Sequence, residues 1–210
     1  MKPFHEMTAT DYYLEELRML AAKTSHDAYV LADYVLKNDK FKIWTASAHP
    51  NVHHYGHGGL LKHTYEVVQL CMLNAEFFAR SGKVIDTRLL MLAAVFHDFG
   101  KLWDYAPANE EMTEWKSTDD KYKIYHITRS VMAWVKATET IKHNLSPAEI
   151  DQVTHCILAH HGRHEYKSPA EPKDEMAWIL HLCDNMSARV SDCRLRPLNP
   201  HTKPSEPTPV

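Results

Sequence analysis

The stretch AAVFHDFGKLW, Ala93 to Trp103, constrains the fold more than any other part of the chain. It begins with the apolar character of a buried helix, yet His97, Asp98 and Lys101 follow directly. Taking a carboxylate and an ammonium out of water costs several kcal/mol each unless they are paired or bound to a metal. The rest of the chain must therefore supply partners for these groups. An unusual count of 16 histidines offers candidates, because imidazole is the commonest side-chain metal ligand.

The 210 residues fit one domain with a single core. Apolar residues make up 44% and charged residues 24%, as in a soluble globular protein. With 24 basic and 27 acidic residues the net charge is −3. Any nucleic-acid contact is therefore a local basic patch and not a whole-protein field. Cys71, Cys156, Cys183 and Cys193 form no CxxC pair, which argues against a structural zinc site or a disulfide framework. No apolar run approaches the ~18 residues of a membrane span. The opening MKPFHEMTATDYY lacks the apolar core of a signal peptide. The expected location is the reducing cytoplasm, away from membranes.

Helical periodicity runs through long stretches that hold few of the 6 glycines. It predicts helices over Asp11–Ala22 and Ser25–Leu36, then a polar, His-rich loop from Phe41. Gly59–Ala79 reads as a long amphipathic helix. Asp86 caps a helix running to His97. Residues 108–123 are polar, fitting a loop or a short two-stranded ribbon near 111–124. Ile127–Ile141 reads as a helix. SPAE, Ser146–Glu149, is a capping box with Pro147 at the first helical position, opening a helix to about His160. Asp174 caps a last helix from about Glu175 to Val190. The predicted class is all-α, a helical bundle with a metal site between helices.

Five of these helices carry a core-adjacent His or Asp: His63, His97 with Asp98, His126, His160 with His161, and Asp184. In a bundle, side chains of facing helices converge on the axis, where metal sites are built. Imidazole and carboxylate suit Mn, Fe, Co, Ni or Zn. A carboxylate has two oxygens, so Asp98 could bridge two ions. A pair of ions roughly 3.5–4 Å apart can activate water and clamp phosphoryl oxygens. Lys101, one helical turn after His97, could bind a phosphate oxygen as a point charge. Isolated histidines such as His155 and His181 read as structural.

Taken in chain order, His63, His97-Asp98 and Asp184 resemble the H…HD…D signature of the HD-domain metal-dependent phosphohydrolase superfamily. The added His126 and His160-His161 resemble its two-metal members. HHYGHGGLLKHTYEVV from His53, AAVFHDFGKL from Ala93, YHITRSV from Tyr125 and ILAHHGRHEYKSP from Ile157 are similar to the HD domain of YhaM-type 3′-to-5′ exoribonucleases. That resemblance covers roughly residues 41–190. It implies one ion on His63, His97, Asp98 and Asp184, and a second on Asp98, His126 and His160. His161 would ligate the second ion or touch phosphate. Asp98 and Lys101 would be the catalytic pair around a metal-activated water. The implied organisation is helices over 1–40 packing on the bundle, an HD phosphohydrolase domain over 41–195, and a disordered Pro-rich tail over 196–210. YhaM-type enzymes also carry an OB-type nucleic-acid-binding domain, for which the first 40 residues are too few.

The expected function is phosphodiester hydrolysis in a nucleotide or a single-stranded nucleic-acid 3′ end. Arg163 and Lys167 could take flanking phosphates while Tyr166 stacks a base, with Lys101, His54 and His57 also in contact with substrate. Alternatives are a nucleotide-only phosphohydrolase (a nucleotidase, triphosphohydrolase or cyclic-nucleotide hydrolase), an HD-fold di-iron oxygenase, and a non-catalytic binding module. The apolar stripes of the first two helices must bury against the bundle or a second subunit, so a homo-oligomer is a further expectation.

Overall fold

The computed structural model describes residues 7–195. The stretch read as a Pro-rich tail, 196–210, lies outside the described residues. Helix α1 (Ala9–Thr24) opens on a reciprocal capping box between Thr8 and Asp11. Ser25 ends α1, and its hydroxyl caps α2 (His26–Leu36) by accepting from the Ala28 amide. A short helix, α3 (Asp39–Ile43), follows where the sequence suggested loop. It is held by an Asn38 cap and by Phe41, which is fully buried. Burial of one aromatic ring (worth ~1.5–3 kcal/mol) outweighs weak local propensity.

Helix α4 (Gly59–Arg80) starts abruptly because the preceding loop folds back on it. A Cβ at Gly59 would lie 1.9 Å from the His54 carbonyl oxygen, so only glycine admits that approach. Helix α5 (Thr87–Phe96) is capped by Asp86, and every residue from Leu89 to Phe96 is buried. It is the central helix: α1, α2, α4, α8 (His126–Thr140), α9 (Pro147–Ala159) and α10 (Glu175–Leu195) all pack on it. Leu14, Leu17, Leu31 and Val35 of the first two helices share one continuous core with α5, as do Cys71, Cys156 and Cys183.

After α5 the chain makes a tight turn through His97–Gly100 into α6 (Lys101–Asp104). Gly100 donates its amide to Ser130 Oγ at 2.8 Å. A Cβ there would sit 2.0 Å from the His126 carbonyl oxygen. The missing side chain thus lets the HD turn abut the start of α8. Gly100→Ala should destabilise the fold by ~1–3 kcal/mol, the usual range for overpacking, measurable by urea unfolding. An unchanged midpoint would mean that the contact relaxes freely.

A two-stranded antiparallel ribbon joins β1 (Tyr105–Pro107) to β2 (Trp115–Ser117), pairing Tyr105 with Ser117 and Pro107 with Trp115. It lies nearer the N-terminus than the 111–124 segment expected. Tyr105 and Trp115 are buried, and Trp44 Nε1 donates to the Tyr105 carbonyl at 3.1 Å, which fixes β1 directly after α6. Residues 119–123 instead form the short helix α7 (Asp119–Lys123). No described helix is long and apolar enough to cross a membrane.

Candidate metal centre

The HD turn carries Asp98 into the middle of the bundle, where its carboxylate faces two groups of ligand atoms. Asp98 Oδ2 lies 3.2 Å from His63 Nε2 and 3.4 Å from His97 Nε2. Asp184 Oδ1, from α10, closes that group at 3.0 Å from His63 Nε2 and 3.8 Å from His97 Nε2. Asp98 Oδ1 points the other way, 3.4 Å from His126 Nε2 and 3.7 Å from His160 Nε2. His63, His97, Asp98 and Asp184 place ligand atoms within 4.8 Å of one another, as do His126, His160 and His161.

The ring orientations suit ligation. His97 Nδ1 donates to the Ala94 carbonyl at 2.7 Å and His160 Nδ1 to the Ile157 carbonyl at 2.7 Å, each one turn earlier on its own helix. His126 Nδ1 meets Asp104 Oδ2 at 2.9 Å. His63 Nδ1 meets Ser187 Oγ at 3.1 Å, and Ser187 donates to Glu66 at 2.8 Å. These contacts leave each Nε2 directed inward, the arrangement by which outer partners fix a ligating tautomer. Buried Asp98 Oδ1, His126 Nε2 and His160 Nε2 have no hydrogen-bond partner among the described residues. Buried polar atoms are rarely left so. A divalent ion accounts for all three, and the residues fit one.

Electrostatics are consistent with that fit. Burial pushes His126 and His160 well below the ordinary imidazole value, so they stand neutral and ready to coordinate. Burial would raise Asp98, but Lys101, His97 and the hydrogen bond from His63 hold it well below the usual carboxylate range. Burial would lower His63, yet bonds to Asp184 and Asp98 hold it up to about 9 without metal. Lys101 Nζ lies 2.7 Å from Asp98 Oδ2. Burial would lower the Lys101 ammonium, but the Asp98 charge outweighs it and holds the group above the ordinary lysine value, so it stays charged.

The other sequence candidates lie around the centre or away from it. His161 Nδ1 is bonded to the Tyr166 carbonyl at 2.9 Å, and its ring lies 5.2 Å from that of His126. Lys167 Nζ lies over the Tyr125 ring at 5.8 Å, and Tyr125 in turn packs against His126 at 4.2 Å. His54 is buried beside His63, with Nε2 bonded to Glu66 at 2.9 Å. His57 is exposed and lines a groove between α1 and α4 with Tyr13 and Lys62. Arg163 is exposed and paired with Glu165 at 3.3 Å, and Tyr166 is exposed beside it. His155 bonds the Lys173 amide, and His181 Nδ1 the His160 carbonyl, both structural contacts.

Sequence reasoning missed Asp104, Ser187 and Glu66. Each is three residues from a residue it supports or neighbours: Asp104 from Lys101, Ser187 from Asp184, and Glu66 from His63. That one-turn spacing on the ligand helices was the available signal. Burial raises Asp104 to about 6. Asp104→Asn should weaken metal binding roughly 10–100-fold, the usual cost of losing such a partner, while the fold persists. Titration with a spectroscopic metal such as Co²⁺ would check this, and equal affinity would remove Asp104 from the centre.

A helical bundle that gathers five histidines and two aspartates around one shared carboxylate defines a candidate metal protein. The HD-domain family model matches residues 60–189, and the chain belongs to that family. It is 26% identical over 159 residues to the 3′-5′ exoribonuclease YhaM of Bacillus subtilis (75% of this chain, 47% of the relative). It is 30% identical over 159 residues to YhaM of Bacillus pumilus (74% and 46%). It is 26% identical over 152 residues to the dihydroneopterin 2′,3′-cyclic phosphate phosphodiesterase of Methanocaldococcus jannaschii (72% and 55%). The chain thus spans about half the length of these relatives. No solved structure matches it.

Proposed function

We propose that the chain is a metal-dependent phosphohydrolase that cleaves phosphodiester bonds of nucleotides or single-stranded nucleic-acid 3′ ends. The observation that carries this reading is the division of Asp98: Oδ2 faces His63, His97 and Asp184, and Oδ1 faces His126 and His160. Two divalent ions, from among Mn, Fe, Co, Ni and Zn, would supply an activated water and charge to clamp phosphate oxygens. Asp98 would serve both, and His161 would either complete the second set or touch the phosphate. No protein nucleophile is required.

Lys101 holds its positive charge against Asp98 Oδ2. There it stabilises an anionic oxygen as charge builds in the transition state. Lys167 and Arg163 take flanking phosphates, Tyr166 stacks a base, and His54 and His57 contact substrate from the α4 side. A second reading, hydrolysis confined to small nucleotides or cyclic phosphates, is favoured by the cyclic phosphodiesterase among the relatives. A product assay over nucleotides, 2′,3′-cyclic phosphates and short 3′-labelled oligonucleotides, with each ion in turn, separates the two. Stepwise release of mononucleotides from oligomers supports the first, and turnover of cyclic phosphates alone supports the second. Oxygen consumption with no phosphodiester turnover by the iron-loaded protein would sink both.

A further inference from the structure

Away from the metal centre, α4 and α10 leave an apolar face that none of the described residues covers. On α10, Trp178, Leu182, Met186 and Val190 recur every four residues and are 48–56% exposed. On the adjoining α4, Leu73 and Phe77 are 61% and 66% exposed. Two grooves flank the seam between these helices. One, of 410 Å³, is lined by Phe78, Trp178 and Leu182, and the other, of 440 Å³, by Leu70, Met186 and Val190. A helix polar on its outer side would need no explanation. Apolar residues held at a constant helical spacing across three turns form a contiguous stripe of the kind that marks an interaction surface.

We propose that this face binds a second copy of the chain, with the two α10 helices packed antiparallel about a two-fold axis near Leu182. The charges on the same face support that arrangement. Glu175 lies one heptad before Leu182, exposed and paired with Lys83 of its own copy at 3.0 Å, and Arg189 lies one heptad after Leu182 and is also exposed. Residues one heptad apart share a helix face, so a two-fold at Leu182 sets Glu175 of one copy opposite Arg189 of the other, twice. The same axis sets Trp178 against Met186, an aromatic ring against a flexible thioether. The area is adequate too. The six exposed apolar side chains present on the order of 600–700 Å² per copy, near the ~800 Å² per partner of a stable interface. In the pair, α4 and α10 of both copies form a four-helix contact, and the two metal centres lie behind it.

Sedimentation equilibrium of the metal-loaded 210-residue chain tests this. The parent should have the mass of a dimer at micromolar concentration. Phe77→Arg and Leu182→Arg should each halve that mass while circular dichroism and melting temperature stay those of a folded protein. Arg189→Glu should weaken the dimer, and adding Glu175→Arg to it should restore the association, because the swapped charges again face each other. A monomeric parent overturns the proposal. So does a dimer that persists in both arginine variants, or a double charge swap that fails to recover what Arg189→Glu loses. A parent that dimerises only after removal of residues 197–210 also overturns it, since the chain's own C-terminal segment would then be the occupant.

Discussion

Asp98→Ala should abolish metal loading at both ligand groups, and hydrolysis with it, in a protein that remains folded. Asp98 is the carboxylate that faces both groups, one oxygen to each. Its removal takes one ligand and shared negative charge from each. It also leaves the Lys101 ammonium buried with its nearest counter-charge gone, an arrangement that typically costs 3–5 kcal/mol. Lower stability accompanies the loss of metal for that reason. Metal analysis of parent and variant after identical purification decides the matter, with His155→Ala as the control that should keep its ions. Parent-like metal content in Asp98→Ala would show that the two histidine groups hold ions independently.

Lys101→Ala should retain metal and lose about 10²–10³ in kcat, the typical effect of removing one preorganised charge donor. The expected split is diagnostic. A group that acts on charge developing in the transition state lowers kcat more than it raises KM. Lys101→Arg should recover little, since a planar guanidinium cannot occupy the place of a compact ammonium 2.7 Å from Asp98. Steady-state kinetics on the substrate found by the panel assay are the check. A Lys101→Ala enzyme with parental kcat would remove this residue from the mechanism and leave it the role of neutralising Asp98.

Local signals made most of the helices legible. Asp86 and Ser146 announce helix starts through chemistry contained within four residues, and the apolar run through Leu89–Phe96 reads as a buried helix, whereas the Thr8 cap that starts α1 two residues before the expected Asp11 was not read. The neighbourhood of His97-Asp98 was legible because charge inside such a run demands partners, and few other buried-helix positions carried His or Asp. What was hidden depends on tertiary contact. Helix α3 exists because Phe41 finds a pocket, and the ribbon sits at 105–117 because Trp44 reaches the Tyr105 carbonyl. Asp104 bonds His126 across two helices, and Ser187 bonds His63 across most of the chain. No window of sequence contains both members of such a pair. His57, close in sequence to the first ligand helix, is exposed in a groove that His54 also lines.

The bond from His63 to Ser187 joins residues 124 positions apart, and this span orders events on the way to the native state. Closing so long a loop adds little to the equilibrium cost, about 0.6 kcal/mol for each doubling of length. Its effect is on timing. The first ligand group needs α4, the HD turn and α10 together, so it cannot close on a growing chain until α10 has emerged. The second group draws on the HD turn, α8 and α9 and is complete one helix earlier. An ion held at the first group, as proposed, would therefore be captured only as α10 docks, which makes α10 the clasp of the centre as well as one of its walls.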